Sequence, residues 1–138
     1  MSDNLSPEDR QKTMRAVKGK ATKLERRLWA MLVGMGVKGW TKNASTVIGK
    51  PDVAFVDRKI AIFIDGCFWH GCPHCQRQLP RTNEEYWARK IQRNIELAQI
   101  YNRTLRQDGW IVIRIWEHEM VDRTIIRAKI REALKSRE

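Results

Sequence analysis

The hydrophobic residues follow alternating helical and extended patterns along the chain. From Leu24 onward, leucine and methionine recur at helical spacing after a capping-box sequence, until Gly34 and Gly36 end the run. Two apolar runs, 52–56 and 60–64, are separated by three polar residues, which predicts two strands joined by a tight turn. The second run does not alternate with polar residues, so it predicts a fully buried strand.

The second half of the chain repeats this alternation. From Asn83, apolar residues follow one helical stripe until Gly109, and Trp110 to Trp116 then predicts another strand. The last pattern, 121–135, predicts a helix that is basic on its outer side. Because the long helix can act as a crossover, we expect the last strand to run parallel to a neighbour. The order predicts an α/β fold, a single domain (residues 21–138) with a mixed central sheet flanked by helices.

The first 20 residues have a different character. Ser6 and Pro7 are typical of a helix start, but Met14 and Val17 give this segment little apolar surface to pack. We therefore predict a basic DNA-contacting arm at residues 1–20. The whole chain carries 27 Lys and Arg against 16 Asp and Glu, a net charge of +11, which favours a nucleic-acid partner. A solvated basic helix face would explain the arm's charge alone equally well.

The length and the apolar runs limit the classes of protein. A chain of 138 residues suits one folded domain. The longest apolar stretch, 60–64, is far shorter than the ~20 residues of a membrane span, and the N-terminus lacks a secretory signal pattern. We therefore expect a cytoplasmic protein with no membrane partner.

All three cysteines fall within nine residues, at positions that suit a metal site. An odd number of cysteines argues against a disulfide framework. Cys67, Cys72 and Cys75 can surround one tetrahedral zinc ion, and we expect His118 to close the site, with His74 as the competing ligand. Four protein ligands leave no position for water, so this Zn²⁺ is expected to be structural. The alternatives are three unconnected buried thiols or a redox pair.

Three acidic residues form a second group of candidates. Asp52 opens one predicted strand and Asp65 ends the next, so a hairpin can bring their carboxylates to the same side of the sheet. Together with Glu25 on the preceding helix, they are hard oxygen ligands suited to Mg²⁺, which implies phosphodiester chemistry. Taken singly, each acid also has a structural explanation, as a strand-entry residue, a turn former or part of a capping box.

These motifs resemble known nuclease families. Pro51-Asp52 and Asp65 on adjacent strands resemble the active-site pattern of the PD-(D/E)XK nucleases, with Cys67 where the usual lysine would stand. Three further stretches resemble the very short patch repair endonuclease family over about residues 12–119. They are Asp65-Gly-Cys-Phe-Trp-His-Gly-Cys-Pro, Glu85-Tyr-Trp-Ala-Arg-Lys-Ile and Gly-Trp-x-Val-x-x-x-Trp-Glu117.

The resemblance implies a bacterial enzyme with a restriction-endonuclease-like fold that acts on the nucleoid. It would nick DNA on the 5′ side of the thymine in a T:G mismatch, using Mg²⁺. By the same resemblance, Asp52 would be the central metal ligand and Ile64 would contribute its backbone carbonyl. Asp65 stands where some members have histidine, so it would bind the metal directly or through water. Glu25 would act through metal-bound water, and His70 would deprotonate the attacking water.

The resemblance also implies how the duplex is opened and which partners to expect. Phe68, Trp69 and Trp87 match the aromatic residues with which the family wedges the duplex, and Met14 matches an apolar residue inserted from the minor groove. The helical periodicity alone would place Trp87 in the core. Mismatch-repair proteins are candidate partners by resemblance, and an asymmetric mismatch favours a monomer. The rival functions are a restriction or defence nuclease without mismatch specificity, and a zinc-stapled DNA-binding module without catalysis.

Overall fold

The computed structural model describes residues 23–75 and 79–138. The predicted arm at residues 1–20 and Met14 therefore lie outside the described residues. None of the helices in these two ranges combines the length and apolar character that crossing a bilayer requires. The elements in chain order are α1 (residues 23–34), β1 (Thr41–Lys42), β2 (Val53–Phe55), β3 (Ile60–Asp65), α2 (Glu84–Gln107), β4 (Ile111–Trp116), a 3₁₀ helix (Glu117–Val121) and α3 (Arg123–Ser136).

The four strands form one mixed sheet in the order β1-β2-β3-β4. The first three strands are antiparallel to their neighbours, whereas β3 and β4 are parallel, with Ile60 opposite Ile111 and Asp65 opposite Trp116. Helix α2 provides the crossover that a parallel pair needs. The predicted α/β fold is therefore confirmed, whereas the two-residue strand β1 was not predicted.

One face of the sheet packs against α1 and α3. Strand side chains alternate between faces, so Ile60 and Ile62 of β3 point to the same side as Ile115 of β4. They meet the apolar stripes of the two helices in one core. The fully buried helix side chains of this core are Leu28, Leu32, Ile126 and Ile130.

The opposite face is covered more sparsely by α2. Ala61 and Phe63 of β3 pack there against Leu105 near the end of the helix. Of the predicted stripe on α2, Trp87 and Leu105 are the buried members, and its middle is only partly buried. This partial seating leaves a cavity between the middle of the helix and the sheet, on the side where β3 ends.

The final helix begins later than the hydrophobic pattern predicts. Residues 117–121 turn as a 3₁₀ helix directly after β4, and α3 starts at Arg123. The reason is local, because the Asp122 side chain accepts hydrogen bonds from the backbone N–H groups of Thr124 and Ile125 and so caps the helix. This short turn carries His118 to the end of β3.

Candidate active site and metal centre

A cavity of about 280 Å³ lies at the end of β3, and the sequence-predicted site residues meet there. Asp52, Ile64, Asp65 and His70 all line it. Glu25 is not part of the lining, but its carboxyl influences that of Asp52 from the start of α1. The hairpin between β2 and β3 therefore does bring the two aspartates to one side of the sheet, as predicted.

The pairing of β2 with β3 fixes the position of Asp52. Val53 stands opposite Ile62, which places Asp52 level with the end of β3. The backbone N–H of Ile64 donates to Asp52 Oδ2 at 2.7 Å, and the indole N–H of Trp29 on α1 donates to the Asp52 carbonyl at 3.2 Å. Strand and helix thus hold this residue from both sides.

The surroundings of Asp52 make its negative charge costly. Burial raises the pKa of its carboxyl from 3.8 to about 7, the Ile64 N–H lowers that pKa, and the neighbouring Glu25 and Asp65 raise it further. A cation beside Asp52 would stabilise the ionised form. Carboxylate and carbonyl oxygens around an open cavity are donors that hard divalent cations prefer, so Asp52 and the Ile64 carbonyl could hold one.

Asp65 has a different partner. Its buried carboxylate accepts a hydrogen bond from Arg114 Nη1 at 2.8 Å and lies 3.8 Å from His70 Nε2. Arg114 in turn donates from Nε to Asn102 Oδ1 at 2.7 Å, and its guanidinium lies 3.9 Å from the ring centre of Phe63. The second carboxylate of the cavity is therefore already paired with a cation.

His70 also lines the cavity. Its Nδ1 is buried and has no hydrogen-bond partner among the described residues. Burial lowers the pKa of the imidazole, Asp65 raises it, and Arg114 lowers it. The net effect favours the neutral imidazole, which is the form that can accept a proton.

A second group of ligands lies next to the cavity, at the ends of β3 and β4. The Sγ atoms of Cys67, Cys72 and Cys75 lie 3.4, 3.6 and 3.4 Å from His118 Nδ1, and all four ligand atoms are within 4.8 Å of one another. These four residues, here called the thiol cluster, could hold a metal ion. His74 is not in the group; its ring stacks on that of His118 at 4.6 Å between centres.

The thiol cluster is partly buried and supported by the backbone. Burial raises the pKa of Cys67 to about 12, so its thiol stays protonated while no cation is near. The Cys67 N–H donates to Glu117 Oε1 at 3.1 Å, and the Cys72 N–H donates to the Cys67 carbonyl at 3.0 Å. These bonds fix the loop after β3 against the turn after β4.

The predicted wedge residues divide into two kinds. Phe68 and Trp69 are half-buried in the loop between the two sites, whereas Trp87 is fully buried. The ring centres of Phe68 and Trp69 lie 5.6 and 5.9 Å from that of Trp87. In this conformation the Trp87 ring has no exposed surface and supports the two half-buried rings, so its intercalating role stays a prediction. Met14 lies outside the described residues.

Comparison with known proteins identifies the family. Residues 2–77 match the sequence model of the family described as DNA mismatch endonuclease Vsr. The chain is 38% identical to the type II nicking enzyme V.NmeDIP of Neisseria meningitidis serogroup C, over 99% of this chain and 93% of the relative. It is 36% identical to the DNA mismatch endonuclease Vsr of Escherichia coli K12, over 85% of this chain and 74% of the relative. The chain belongs to the Vsr mismatch endonuclease family.

A further relative agrees with this assignment. The type II nicking enzyme V.NaeI of Lentzea aerocolonigenes is 44% identical over 80% of this chain and 68% of the relative. The Vsr-family chain is therefore a DNA endonuclease with a restriction-endonuclease-like fold, as the resemblance predicted. This assignment favours an enzyme over the alternative of a DNA-binding module without catalysis.

Two polar residues of the Vsr-family site were missed by the sequence analysis. Arg114 is a charged residue in the otherwise apolar strand β4, which is a signal that could have been noticed. Asn94 lies on α2, lines the cavity, and donates from Nδ2 to the Trp69 carbonyl at 3.0 Å. It thereby ties the loop of half-buried aromatic residues to the wall of the cavity.

Proposed function

We propose that this endonuclease nicks one strand of duplex DNA on the 5′ side of the thymine in a T:G mismatch, the product of 5-methylcytosine deamination. The observation that carries the proposal is the convergence of Asp52, Ile64 and His70 on one cavity beside two half-exposed aromatic rings. The names of the relatives, a mismatch endonuclease and a nicking enzyme, support mismatch recognition and the cutting of one strand.

The cavity fits a magnesium ion. Asp52 and the Ile64 carbonyl would hold it, and Glu25, which stands outside the lining, would act through metal-bound water. When bound, Mg²⁺ supplies positive charge that stabilises the phosphate oxygens during hydrolysis. The costly ionisation of Asp52 supports this assignment, because a divalent cation would offset that cost.

His70 would act as the general base. Its imidazole, which lines the cavity, would accept the proton of the attacking water while the new bond to phosphorus forms and the bond to the leaving sugar oxygen breaks. Asp65, whose Oδ1 lies 3.8 Å from Nε2, would orient the ring.

The aromatic loop would supply mismatch selection. Phe68 and Trp69 would insert beside the mismatch, with Trp87 beneath them as a rigid support and Met14 reaching the minor groove from the N-terminal arm. Unstacking a base step costs roughly a few kcal/mol and costs less at a mismatch, so a wedge favours T:G over paired DNA.

The thiol cluster would hold a structural zinc ion. Three thiols and one imidazole form a closed tetrahedral donor set typical of Zn²⁺. Such an ion would tie the loop after β3, which carries both His70 and the aromatic rings, to the end of β4. The enzyme would act as a monomer on the bacterial nucleoid in the cytoplasm, with mismatch-repair proteins as candidate partners.

A second candidate function is a nuclease of restriction or defence type that does not require a mismatch. The observation in favour of this second candidate is that two of the relatives, V.NmeDIP and V.NaeI, are named type II nicking enzymes. The two candidates share the cavity and differ only in what the aromatic loop selects.

The deciding experiment uses duplexes of one sequence that contain T:G, C:G or 5-methylcytosine:G at the same position. We expect a single nick 5′ to the thymine in the T:G duplex with Mg²⁺. Asp52→Asn should lower the rate by at least ~100-fold and leave DNA affinity within a few-fold. Equal cutting of all duplexes would favour the second function, and cutting by the variant at the wild-type rate would refute the site.

A further inference from the structure

The two carboxylates of the cavity are held in different ways. Asp52 accepts a backbone N–H from Ile64, whereas Asp65 accepts a guanidinium N–H from Arg114. We propose that Arg114 is a positioning residue that reserves Asp65 for His70, leaving Asp52 as the aspartate that binds the catalytic metal directly. This inference rests on the proposed function and extends it.

Arg114 is itself held rigidly. Its Nε donates to Asn102 Oδ1 at 2.7 Å, its Nη2 reaches the Ala98 carbonyl at 3.4 Å, and its guanidinium lies over Phe63. In the parallel register Phe63 stands opposite Arg114, and Asp65 follows two residues later on the same face of the sheet. The guanidinium therefore spans from α2 to the end of β3 and fixes the carboxylate at one point.

This contact determines what Asp65 can do. A carboxylate in a charge-assisted bond with arginine is a poor ligand for a cation, because it must give up that bond and the guanidinium repels the metal. The same oxygen, Oδ1, is the atom 3.8 Å from His70 Nε2. Asp65 is thus placed to orient the imidazole from its Nε2 side.

The test is calorimetric titration of Mg²⁺ into the zinc-loaded protein without DNA. Asp52→Asn should weaken Mg²⁺ binding at least about tenfold, whereas Asp65→Asn should change it less than about threefold. Arg114→Gln should tighten binding about tenfold, because it frees the Asp65 carboxylate and removes a positive charge. The double variant Arg114→Gln/Asp65→Asn should bind Mg²⁺ more weakly than Arg114→Gln alone, because it lacks the freed Asp65 carboxylate.

A kinetic measurement separates positioning from a general loss of structure. Asp65→Asn should lower kcat for T:G nicking about 10- to 100-fold, because His70 is less well oriented, with KM for the duplex unchanged. A purely structural defect would instead lower the melting temperature and the fraction of active enzyme, which thermal melting and active-site titration detect.

The outcomes distinguish the inference from the proposed function. Mg²⁺ binding that weakens as much in Asp65→Asn as in Asp52→Asn would make Asp65 a direct ligand and overturn the inference alone. Binding that is unchanged in Asp52→Asn would instead refute the proposed metal site. If Arg114→Gln does not fold, the comparison of Asp52→Asn with the nearly isosteric Asp65→Asn still decides the question.

Discussion

Two neighbouring sites differ in their donor atoms and in how open they are. One is the thiol cluster, and the other is the cavity lined by Asp52, Asp65 and His70, here called the carboxylate cavity. Asp65 belongs to the cavity and Cys67, two residues later, belongs to the cluster. The cluster gathers four soft donors within 4.8 Å of one another, while the cavity leaves about 280 Å³ beside hard oxygen donors. A closed set of donors suits a structural ion, and an open set suits one that must meet a substrate.

The comparison shows how the end of one strand, β3, can contribute to a site for stability and to a separate site for chemistry. Both sites depend on the parallel pair β3 and β4, whose ends carry Cys67 on one side and His118 on the other. A metal ion in the thiol cluster would tie these ends together. The cavity instead keeps a carboxyl whose ionisation the fold makes costly, which is typical of a functional site.

The largest expected effect is the loss of zinc from the thiol cluster. A structural zinc contributes on the order of 10 kcal/mol to the stability of a small domain, so Cys72→Ser should lower the melting temperature sharply. Metal content and thermal unfolding would be measured together. His74→Ala is the matched control, since His74 stands outside the group and should keep the ion. A Cys72→Ser protein that melts like the wild type would mean that metal binding at the thiol cluster does not stabilise the fold.

The next effect concerns Gly71, which lies between His70 and Cys72 and so joins the two sites. Its φ is +59°, and an added Cβ would lie 3.0 Å from atoms of Ile91 and Ile95. Gly71→Ala should lower the free energy of unfolding by about 2 kcal/mol. Part of this comes from the left-handed backbone and part from the close approach of the added Cβ to Ile91 and Ile95.

Gly36→Ala provides the control for Gly71→Ala in chemical unfolding. Gly36 has a φ of +71°, and an added Cβ would have nothing within 4 Å. Gly36→Ala should therefore lower the free energy of unfolding by only about 1 kcal/mol, the part that comes from the left-handed backbone. Equal costs for the two variants would mean that the loop can move away from α2 freely, and the two sites would then be less tightly joined than their contacts suggest.

Asp52→Asn should raise the free energy of unfolding, whereas Cys72→Ser should lower it. Because the pKa of Asp52 is about 7 in the folded protein against 3.8 as its ordinary value, wild-type stability falls as pH rises from about 4 to 7. The pKa difference corresponds to about 4 kcal/mol, and water screens part of this because Asp52 is only partly buried. Above pH 7 the magnesium-free variant should therefore be more stable than the wild type by about 2 kcal/mol, and below pH 4 the gain should vanish. Urea unfolding at pH 8 and pH 5 measures it. Asp57→Asn, at an exposed turn, should show no such gain.

The smallest effect is expected at Asn94. Its hydrogen bond to the Trp69 carbonyl is worth about 1 kcal/mol, so Asn94→Ala should reduce the preference for T:G over C:G about fivefold and leave zinc bound. Gln92→Ala, on the exposed side of the same helix, is the control. A preference that is unchanged in Asn94→Ala would show that the aromatic loop does not need its attachment to the cavity.

Local patterns predicted much of this molecule. The apolar stripe of α1, the continuous burial of β3 and the crossover by α2 follow from periodicity and spacing, which act over a few residues. The grouping of Cys67, Cys72 and Cys75 was equally accessible, because short spacing limits where three thiols can lie.

Other features depend on contacts between distant parts of the chain. The pairing of Arg114 with Asp65 spans 49 positions and depends on the exact register of two parallel strands, which no local pattern encodes. The burial of Trp87 depends on Phe68 and Trp69 folding over it, although its helical periodicity pointed to the core. Strand β1 is too short and too exposed to show a hydrophobic pattern.

The parallel pairing of β3 with β4 also sets the order in which this enzyme can become complete during synthesis. Cys75, the last of the thiols, leaves the ribosome 43 residues before His118. A nascent chain that ends before β4 carries both aspartates and all three thiols but lacks Arg114 and His118, the residues that complete the two sites. Neither Arg114 nor His118 can reach its partners before β4 pairs with β3, so both groups of residues are completed by the same strand.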